Sequence, residues 1–380
     1  MAIAGFTSTG SKRPEALFAS SANDIPTRMT SSHGCTVRDA GGREYLDFIM
    51  GLGSVALGYG HHAVNAAAIA AIGDGTVGPL SPVDEEMLAV ELGGAIPCME
   101  QLRFLKTGAE AVAAAVRIAR VATGRDRVLG CGYHGWLDWC SDAQGVPAGA
   151  RALFGAIPFN DAQRTSDVIR AAGDRLACVV IEPVIEAAPD PEWLSTLRTE
   201  TSKIGALLIF DEVKTAFRVA LGGAAQRWGI RPDLMVIGKS MANGFPLAAV
   251  GGSRTVMESV GRTWISSTAA TEFVSLAAAR AVLRVFNETD VIGHLAARGD
   301  RLWRGLDHLA RRHNGVVVSG IPEMCYLRFA DDGRSARVAS EVARHGVLFK
   351  RTAYNFVSLA HDDSAIDRAL AVLDQALGRC

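Results

Sequence analysis

Between residues 102 and 251, apolar runs of strand length alternate with longer segments that have the composition of helices. The clearest helical segment, residues 110–120, is rich in Ala, the residue with the highest helix propensity. Because the runs are apolar throughout, we expect an α/β protein whose mostly parallel sheet is covered by helices on both faces. The predicted strands span residues 102–105, 127–131, 176–181, 206–210, 234–237 and 248–251.

After residue 272 the pattern changes to a long helical segment, shorter strands at 316–319 and 324–329, and a closing helix at 365–377. Residues 36–48 hold a Gly-Gly pair between two strand-like stretches, which predicts a hairpin. We expect this hairpin to pack with the C-terminal part as a smaller α+β domain. The expected boundaries are 1–55 for the N-terminal arm and part of the small domain, 56–285 for the large domain, and 286–380 for the rest of the small domain.

Lys239 ends one apolar run and precedes a loop broken by Gly and Pro, while Asp211 ends a second run. Apolar walls disfavour the charged form of an amine, so a lysine at the mouth of a strand is a usable nucleophile. An amine that forms a Schiff base and a carboxylate that keeps a pyridinium nitrogen protonated are the pair that a pyridoxal phosphate enzyme requires. Taken singly, Lys239 could be a surface lysine and Asp211 a helix cap. Lys214, the nearest rival amine, lies on a polar stretch, and we expect it to be solvated.

Glu182 and the turn at Gly108 also follow predicted strands. Ligands of parallel sheets bind beyond the carboxyl ends of the strands, so Lys239, Asp211, Glu182 and Gly108 should converge on one edge. Small residues at Gly108 and Ala109 let backbone N–H groups at a helix N-terminus approach an anion.

Composition excludes several other classes of protein. The net charge is −1 without a basic block, which argues against nucleic acid or an anionic membrane as a partner. No apolar run reaches the roughly 18 residues of a membrane span, and the N-terminal residues lack the pattern of a signal peptide. The seven cysteines are scattered without a C-x-x-C spacing and predict neither a disulfide framework nor a zinc site. We therefore expect a cytoplasmic protein that holds no metal.

Residues 210–224, followed by Pro232-Asp233-Leu234 and Gly238-Lys239, resemble the core signature of class III, fold-type I pyridoxal phosphate aminotransferases. Within that family the chain is most similar to the glutamate-1-semialdehyde 2,1-aminomutase branch. The likeness covers nearly the whole chain, from the hairpin at residues 45–48 to residues 356–361. It implies a large domain with a mostly parallel, seven-stranded sheet, a smaller α+β domain, and pyridoxal 5'-phosphate as the cofactor.

The resemblance also implies roles for single residues. Lys239 would form the Schiff base and carry the proton of the 1,3-shift, Asp211 would pair with the pyridine nitrogen, and Val213 would pack on one face of the ring. The phosphate would lie on the backbone of Gly108 and Ala109. Ala109 stands where the family has Thr, so one hydroxyl ligand is missing.

Further cofactor contacts are implied for Tyr133, whose ring would stack on the cofactor, and for its neighbour His134, which we do not take as a catalyst. Glu182 would lie beside the ring hydroxyl. Thr268, or less well Ser267, would reach the phosphate of the neighbouring subunit, which implies a homodimer with active sites at the interface. Ser and Thr before a helix are also ordinary capping residues.

The sequence departs from the aminomutase branch at Ala109, at residues 269–272, and at Asn355, where that branch carries Glu. These departures favour an aminotransferase that moves an amino group from a small amine donor to a carbonyl acceptor, over an intramolecular aminomutase. A racemase or decarboxylase uses the same lysine and aspartate and stays an alternative, whereas a non-catalytic homologue need not keep both. The candidates for binding a substrate carboxylate, each of which could equally be a surface or supporting residue, are Arg28, Arg218 and Arg351.

Overall fold

The computed structural model describes residues 2–18 and 24–380. In chain order the strands are β1 (Met29–His33), β2 (Thr36–Asp39), β3 (Glu44–Asp47), β4 (Gln101–Leu105), β5 (Arg127–Cys131), β6 (Phe154–Ala156), β7 (Leu176–Ile181), β8 (Leu207–Asp211), β9 (Leu234–Ile237), β10 (Ala248–Gly252), β11 (Val316–Ile321), β12 (Met324–Phe329), β13 (Val347–Leu348) and β14 (Asn355–Phe356). The helices are α1 (Pro14–Leu17), α2 (Met50–Gly53), α3 (His62–Asp74), α4 (Val83–Ala95), α5 (Gly108–Thr123), α6 (Ala148–Arg151), α7 (Ala162–Ala172), α8 (Pro191–Ile204), α9 (Gly223–Trp228), α10 (Arg254–Met257), α11 (Phe273–Glu288), α12 (Val291–Arg312), α13 (Asp332–Arg344) and α14 (Asp363–Arg379).

The chain divides into two compact units. Unit 1 combines residues 1–62 with residues 290–380, and unit 2 spans residues 63–289. The domain boundaries expected after residues 55 and 285 stay predictions.

Unit 2 is built on a seven-stranded sheet with the strand order β4-β10-β9-β8-β7-β5-β6. Strands β5 to β9 pair in parallel, and only β10 runs against its neighbours β4 and β9. The mostly parallel, seven-stranded sheet is therefore confirmed. The sequence did not predict β6, because a three-residue edge strand that is only partly buried has no apolar run to reveal it.

The strands of unit 2 are apolar throughout because helices cover the sheet. All six residues of β7 are buried, and α5 turns a face of small Ala and Val residues to the sheet. This helix begins with a capping box between Thr107 and Glu110 and ends at Gly124, whose φ of 68° lies in the left-handed region. It extends the predicted helix at both ends.

Unit 1 contains the predicted hairpin, formed by β2 and β3, with β1 alongside. Strand β13, from the C-terminal part of the chain, joins β3 in parallel, with Val347 opposite Leu46. The expected pairing of N- and C-terminal segments in one α+β unit is confirmed. A second sheet has the order β11-β12-β14. None of the helices in the described residues combines the length and apolarity that crossing a membrane requires.

Candidate active site

A cavity of about 330 Å³ lies in unit 2 at the edge where strands β4, β5, β7, β8 and β9 end. Its walls are the turns that follow these strands, as expected for a ligand site in a parallel sheet. The structure brings most of the predicted site residues together around it: Gly108, Ala109, Tyr133, His134, Glu182, Asp211, Val213 and Lys239. The two other predicted residues, Ser267 and Thr268, do not line it.

Lys239 lies two positions after the last residue of β9, in a strained conformation. Its φ of 45° falls in the left-handed region, which costs a residue with a side chain roughly 1–3 kcal/mol and is typical of functional positions. Burial lowers the pKa of the amine to about 8, and the positive charge of Lys214 acts in the same direction. The carboxylates of Glu182 and Asp211 oppose this shift. Lys239 therefore holds a substantial neutral fraction near pH 8, as a nucleophilic amine must.

Asp211 is the last residue of β8 and is buried at the cavity. One carboxylate oxygen lies 2.9 Å from Nδ1 of His134, and the other accepts a hydrogen bond of 3.3 Å from the N–H of Val213. The side chain of Asp211 thus stabilises the turn that leads to Val213 and does not cap a helix. His134 is buried too, stacks on Trp139, and its Nε2 has no partner among the described residues. The imidazole therefore holds the carboxylate of Asp211 in place.

Glu182 follows β7 and forms an ion pair with Lys214, with 2.7 Å between Oε1 of Glu182 and Nζ of Lys214. Its other oxygen accepts a hydrogen bond of 2.9 Å from the N–H of Tyr133. A Cβ at position 132 would lie 2.7 Å from that oxygen, and the φ of 108° there also requires Gly132. The prediction that Lys214 is solvated is wrong, because its side chain is only 12% exposed and lines the cavity.

The turn before α5 presents backbone donors to the cavity. The capping box occupies the N–H groups of Thr107 and Glu110, while Gly108 and Ala109 supply the N–H groups of the first helical positions at the cavity wall. A Cβ at position 108 would lie 3.1 Å from the side chain of Val213, so Gly108 leaves room for that valine. This end of the cavity suits an anion.

Lys106, at the end of β4, is a cavity residue that the sequence did not single out. Its Nζ lies 2.7 Å from Glu272 and 3.3 Å from Oγ of Ser275. Burial opposes ionisation of Glu272, but the hydrogen bonds from Lys106 and Ser275 outweigh it and hold the pKa of this carboxyl below its ordinary value. The sequence could have identified Lys106 as a site residue because it directly follows a predicted strand.

Ser267 precedes a short 3₁₀ turn, Thr268–Thr271, which Thr268 begins, and neither side chain caps a helix. Helix α11 is capped instead by Glu272, which accepts hydrogen bonds from the N–H groups of Val274 and Ser275. Thr268 is exposed. Capping therefore does not explain the hydroxyl residues at these positions.

Glu212, beside Asp211, faces away from the cavity. It accepts hydrogen bonds from the N–H groups of Ala224 and Ala225 and from the hydroxyl of Thr215. Burial raises its pKa to about 7. Glu212 thus fastens the loop between β8 and α9. Asn355 has a similar supporting role in unit 1, where its side chain bonds both backbone groups of Lys350.

The three candidate arginines lie outside this cavity. Arg218 is fully buried in unit 2, and Arg351 of unit 1 pairs with Asp332. The guanidinium of Arg28 lies 3.9 Å over the ring of Phe6, beside a separate cavity of about 490 Å³ in unit 1.

The residues of the unit 2 cavity fit pyridoxal phosphate. An amine with a lowered pKa faces a buried carboxylate, His134 has a ring nitrogen without a partner, and a helix N-terminus offers N–H groups for a phosphate. The cavity volume lies at the lower end of the range for small-molecule sites. Fold and cavity together define an enzyme of the fold-type I pyridoxal phosphate class.

Comparison with known proteins gives the family. The model of class III aminotransferases matches residues 17–377, so the chain belongs to this family. A glutamate-1-semialdehyde 2,1-aminomutase of Thermomicrobium roseum is 34% identical over 93% of this chain and 91% of its own. The FumI protein of Sphingopyxis sp. MTA144, solved in its PLP internal aldimine form, is 28% identical with a TM-score of 0.92, over 98% of this chain and 92% of its own. A β-phenylalanine aminotransferase from Variovorax paradoxus is 28% identical with a TM-score of 0.85, over 95% and 90%.

The protein is accordingly a pyridoxal phosphate-dependent aminotransferase, which acts on a small amino donor and a carbonyl acceptor. The fold and the cofactor inferred from the sequence are both confirmed.

Proposed function

We propose that Lys239 is the catalytic residue of this aminotransferase and that Asp211 and His134 hold the cofactor ring against it. The observation that carries the proposal is the lowered pKa, about 8, of an amine that shares its cavity with the buried carboxylate of Asp211. When bound, pyridoxal phosphate supplies an aldehyde that condenses with amines and a ring that accepts the electron pair left by a departing Cα proton.

The residues of the chain supply the remaining steps. The neutral amine of Lys239 would hold the cofactor until the donor amine replaces it, and would then carry the proton that leaves Cα to the neighbouring carbon. The carboxylate of Asp211, fixed by His134, holds a proton on the ring nitrogen. Gly108 and Ala109 bind the phosphate through their N–H groups.

Tyr133, Glu182 and Val213 complete the cofactor site in this proposal. Val213 packs against the Gly108 turn and supports one face of the ring. The aromatic ring of Tyr133 lines the cavity and would stack on the other face, and the 70% exposure of this residue leaves its ring accessible. Glu182 lies beside the ring hydroxyl.

We propose that amino transfer is intermolecular. Mixing holoenzyme with single amino acids or amines, without an acceptor, should convert the cofactor to its amine form in one turnover and release a carbonyl product in equal amount. Absorbance spectroscopy and a chemical assay of the carbonyl measure the two. The relatives named as aminomutases support the alternative of intramolecular transfer. That alternative predicts an isomerised substrate, no released carbonyl, and a spectrum that returns to its start.

We further propose a homodimer that joins the active sites at its interface. Of the fourteen large apolar residues that are exposed within residues 2–18 and 24–380, seven lie between residues 69 and 90. Such a concentration of exposed apolar side chains in one segment of the chain is typical of an interface. It adjoins the start of α11, where the N–H of Phe273 donates to the carbonyl of Thr76. The exposed Thr268 lies just before this point, which suits a hydroxyl that binds the cofactor phosphate of the second subunit.

Charge placed on this apolar surface should separate the subunits. We expect the variant Leu80→Glu/Val83→Glu to have half the mass of the wild type by light scattering after size exclusion, and to bind cofactor weakly. Thr268→Ala should keep the wild-type mass but lower the affinity for the cofactor by roughly 10-fold, because one hydrogen bond to a charged group is lost.

Val317→Glu is the matched control, since this valine is exposed on a strand of unit 1. It should leave mass and cofactor affinity unchanged. A wild-type protein that is monomeric at micromolar concentration with full turnover would contradict the dimer proposal.

We also infer a cytoplasmic location. All seven cysteines are free, which suits a reducing compartment.

A further inference from the structure

We propose that Lys214, held at 2.7 Å by Glu182 in the wall of the cavity that Lys239 also lines, is a positioning residue that acts through Lys239. The inference rests on the proposed role of Lys239 as the nucleophile. It assigns a function to a second cavity lysine that the chemistry of the cofactor does not require.

The geometry of the pair keeps the second charge in place. Lys214 Nζ lies 2.7 Å from Oε1 of Glu182, and both side chains are about nine-tenths buried at the cavity wall. Glu182 cannot turn away, because its other oxygen is bound by the N–H of Tyr133 and stands against Gly132. A lysine held in this way keeps its ammonium in the cavity.

The surroundings of Lys239 contain charges of both signs. Lys214 and Arg218 act against a proton on its nitrogen, and Glu182 and Asp211 favour one. His134 and Lys106 also line the cavity, but Lys106 is neutralised by its own partner Glu272. After burial, Lys214 makes the largest contribution to the lowered pKa of Lys239. The two charges of the ion pair act on that nitrogen with opposite signs, but the contribution of Lys214 is larger than that of Glu182, so the pair as a whole lowers the pKa of Lys239.

The test compares both halves of the pair in the holoenzyme. The visible absorbance of the bound cofactor changes with pH and reports the proton on the nitrogen of Lys239. We expect Lys214→Met to raise the pH midpoint of this transition by about one unit, the size of effect that a neighbouring charge has on a pKa. Glu182→Gln should lower the midpoint, Lys214→Arg should leave it near the wild-type value, and Lys214→Met/Glu182→Gln should lie between the two single variants.

A surface pair provides the matched control. Lys203 lies 2.7 Å from Glu200 with a side chain that is 57% exposed, so Lys203→Met removes an ion pair of equal length away from the cavity. Its midpoint should match that of the wild type.

Shifts of the pH midpoint in opposite directions for the two single variants show an effect of charge. Loss of the contact alone would shift the midpoint in the same direction in both variants. If both single variants move the midpoint the same way, or if Lys214→Met leaves it unmoved, Lys214 does not set the charge of Lys239. A different experimental result would show that the proposed function of Lys239 is wrong. Borohydride reduction of the wild-type holoenzyme would then attach the cofactor to a residue other than Lys239, as peptide mass spectrometry would reveal.

Discussion

Replacing Lys239 by Ala is expected to lower turnover by roughly 10⁴-fold or more, because one side chain supplies both the nucleophile and the proton carrier. The cofactor itself should still bind, since the carboxylate of Asp211 and the N–H groups of Gly108 and Ala109 are untouched. Borohydride should no longer fix the cofactor to the protein. Steady-state rates, the cofactor content after dialysis, and mass spectrometry after reduction measure the three effects.

The pKa of Lys239 also predicts how the reactive fraction of this residue changes with pH. Only the neutral amine attacks or accepts a proton, so in the wild type the fraction of free Lys239 that is competent rises as the pH passes through about 8. The Ala variant has lost this group, and a small primary amine added to the solution should restore part of the turnover by entering the space that the side chain leaves. Lys203→Ala, at an exposed site, is the control and should match the wild type. Turnover that survives in the Ala variant without added amine would refute the assignment of Lys239.

Much of unit 2 could be predicted because its determinants are local in the sequence. Strands buried on both faces must be apolar throughout, so β7, β8 and β9 appear as uninterrupted runs. Residues that directly follow such runs must meet at the carboxyl edge of the sheet, which is why Lys239 and Asp211 could be placed in one cavity before any coordinates.

What could not be predicted depends on partners that are distant in the chain. Lys214 stands in a polar stretch, and nothing local reveals that the turn after β8 directs it to Glu182. Lys106 likewise meets Glu272 only because α11 begins beside the end of β4. Strand β6 is too short and too exposed to leave a pattern. Ion pairs and edge strands are set by the tertiary fold, whereas propensity and periodicity report neighbours along the chain.

The second large effect is expected at Asp211. Asp211→Asn keeps the size of the side chain and one oxygen, which can stay at the shorter contact with His134, but removes the negative charge that holds a proton on the ring nitrogen. Without that charge the ring accepts electrons poorly, so we expect turnover to fall by roughly 10²–10³-fold, the usual cost of removing one electrostatic contact to the reacting group. Cofactor affinity should fall by roughly 10-fold at the same time, because a charged hydrogen bond is lost.

The contact with His134 allows the effect of the lost charge to be distinguished from a structural effect. If Asp211 served only to hold the imidazole at 2.9 Å, the Asn variant would keep an oxygen there and retain most of its turnover. A near wild-type rate would therefore reduce Asp211 to a supporting residue. Asp138→Asn, an exposed carboxylate four positions from His134, is the matched control and should leave rate and cofactor affinity unchanged. Melting temperatures of all three proteins exclude unfolding as the cause. Loss of turnover in the Asn variant with a retained fold then places the charge of Asp211, rather than its shape, in the reaction.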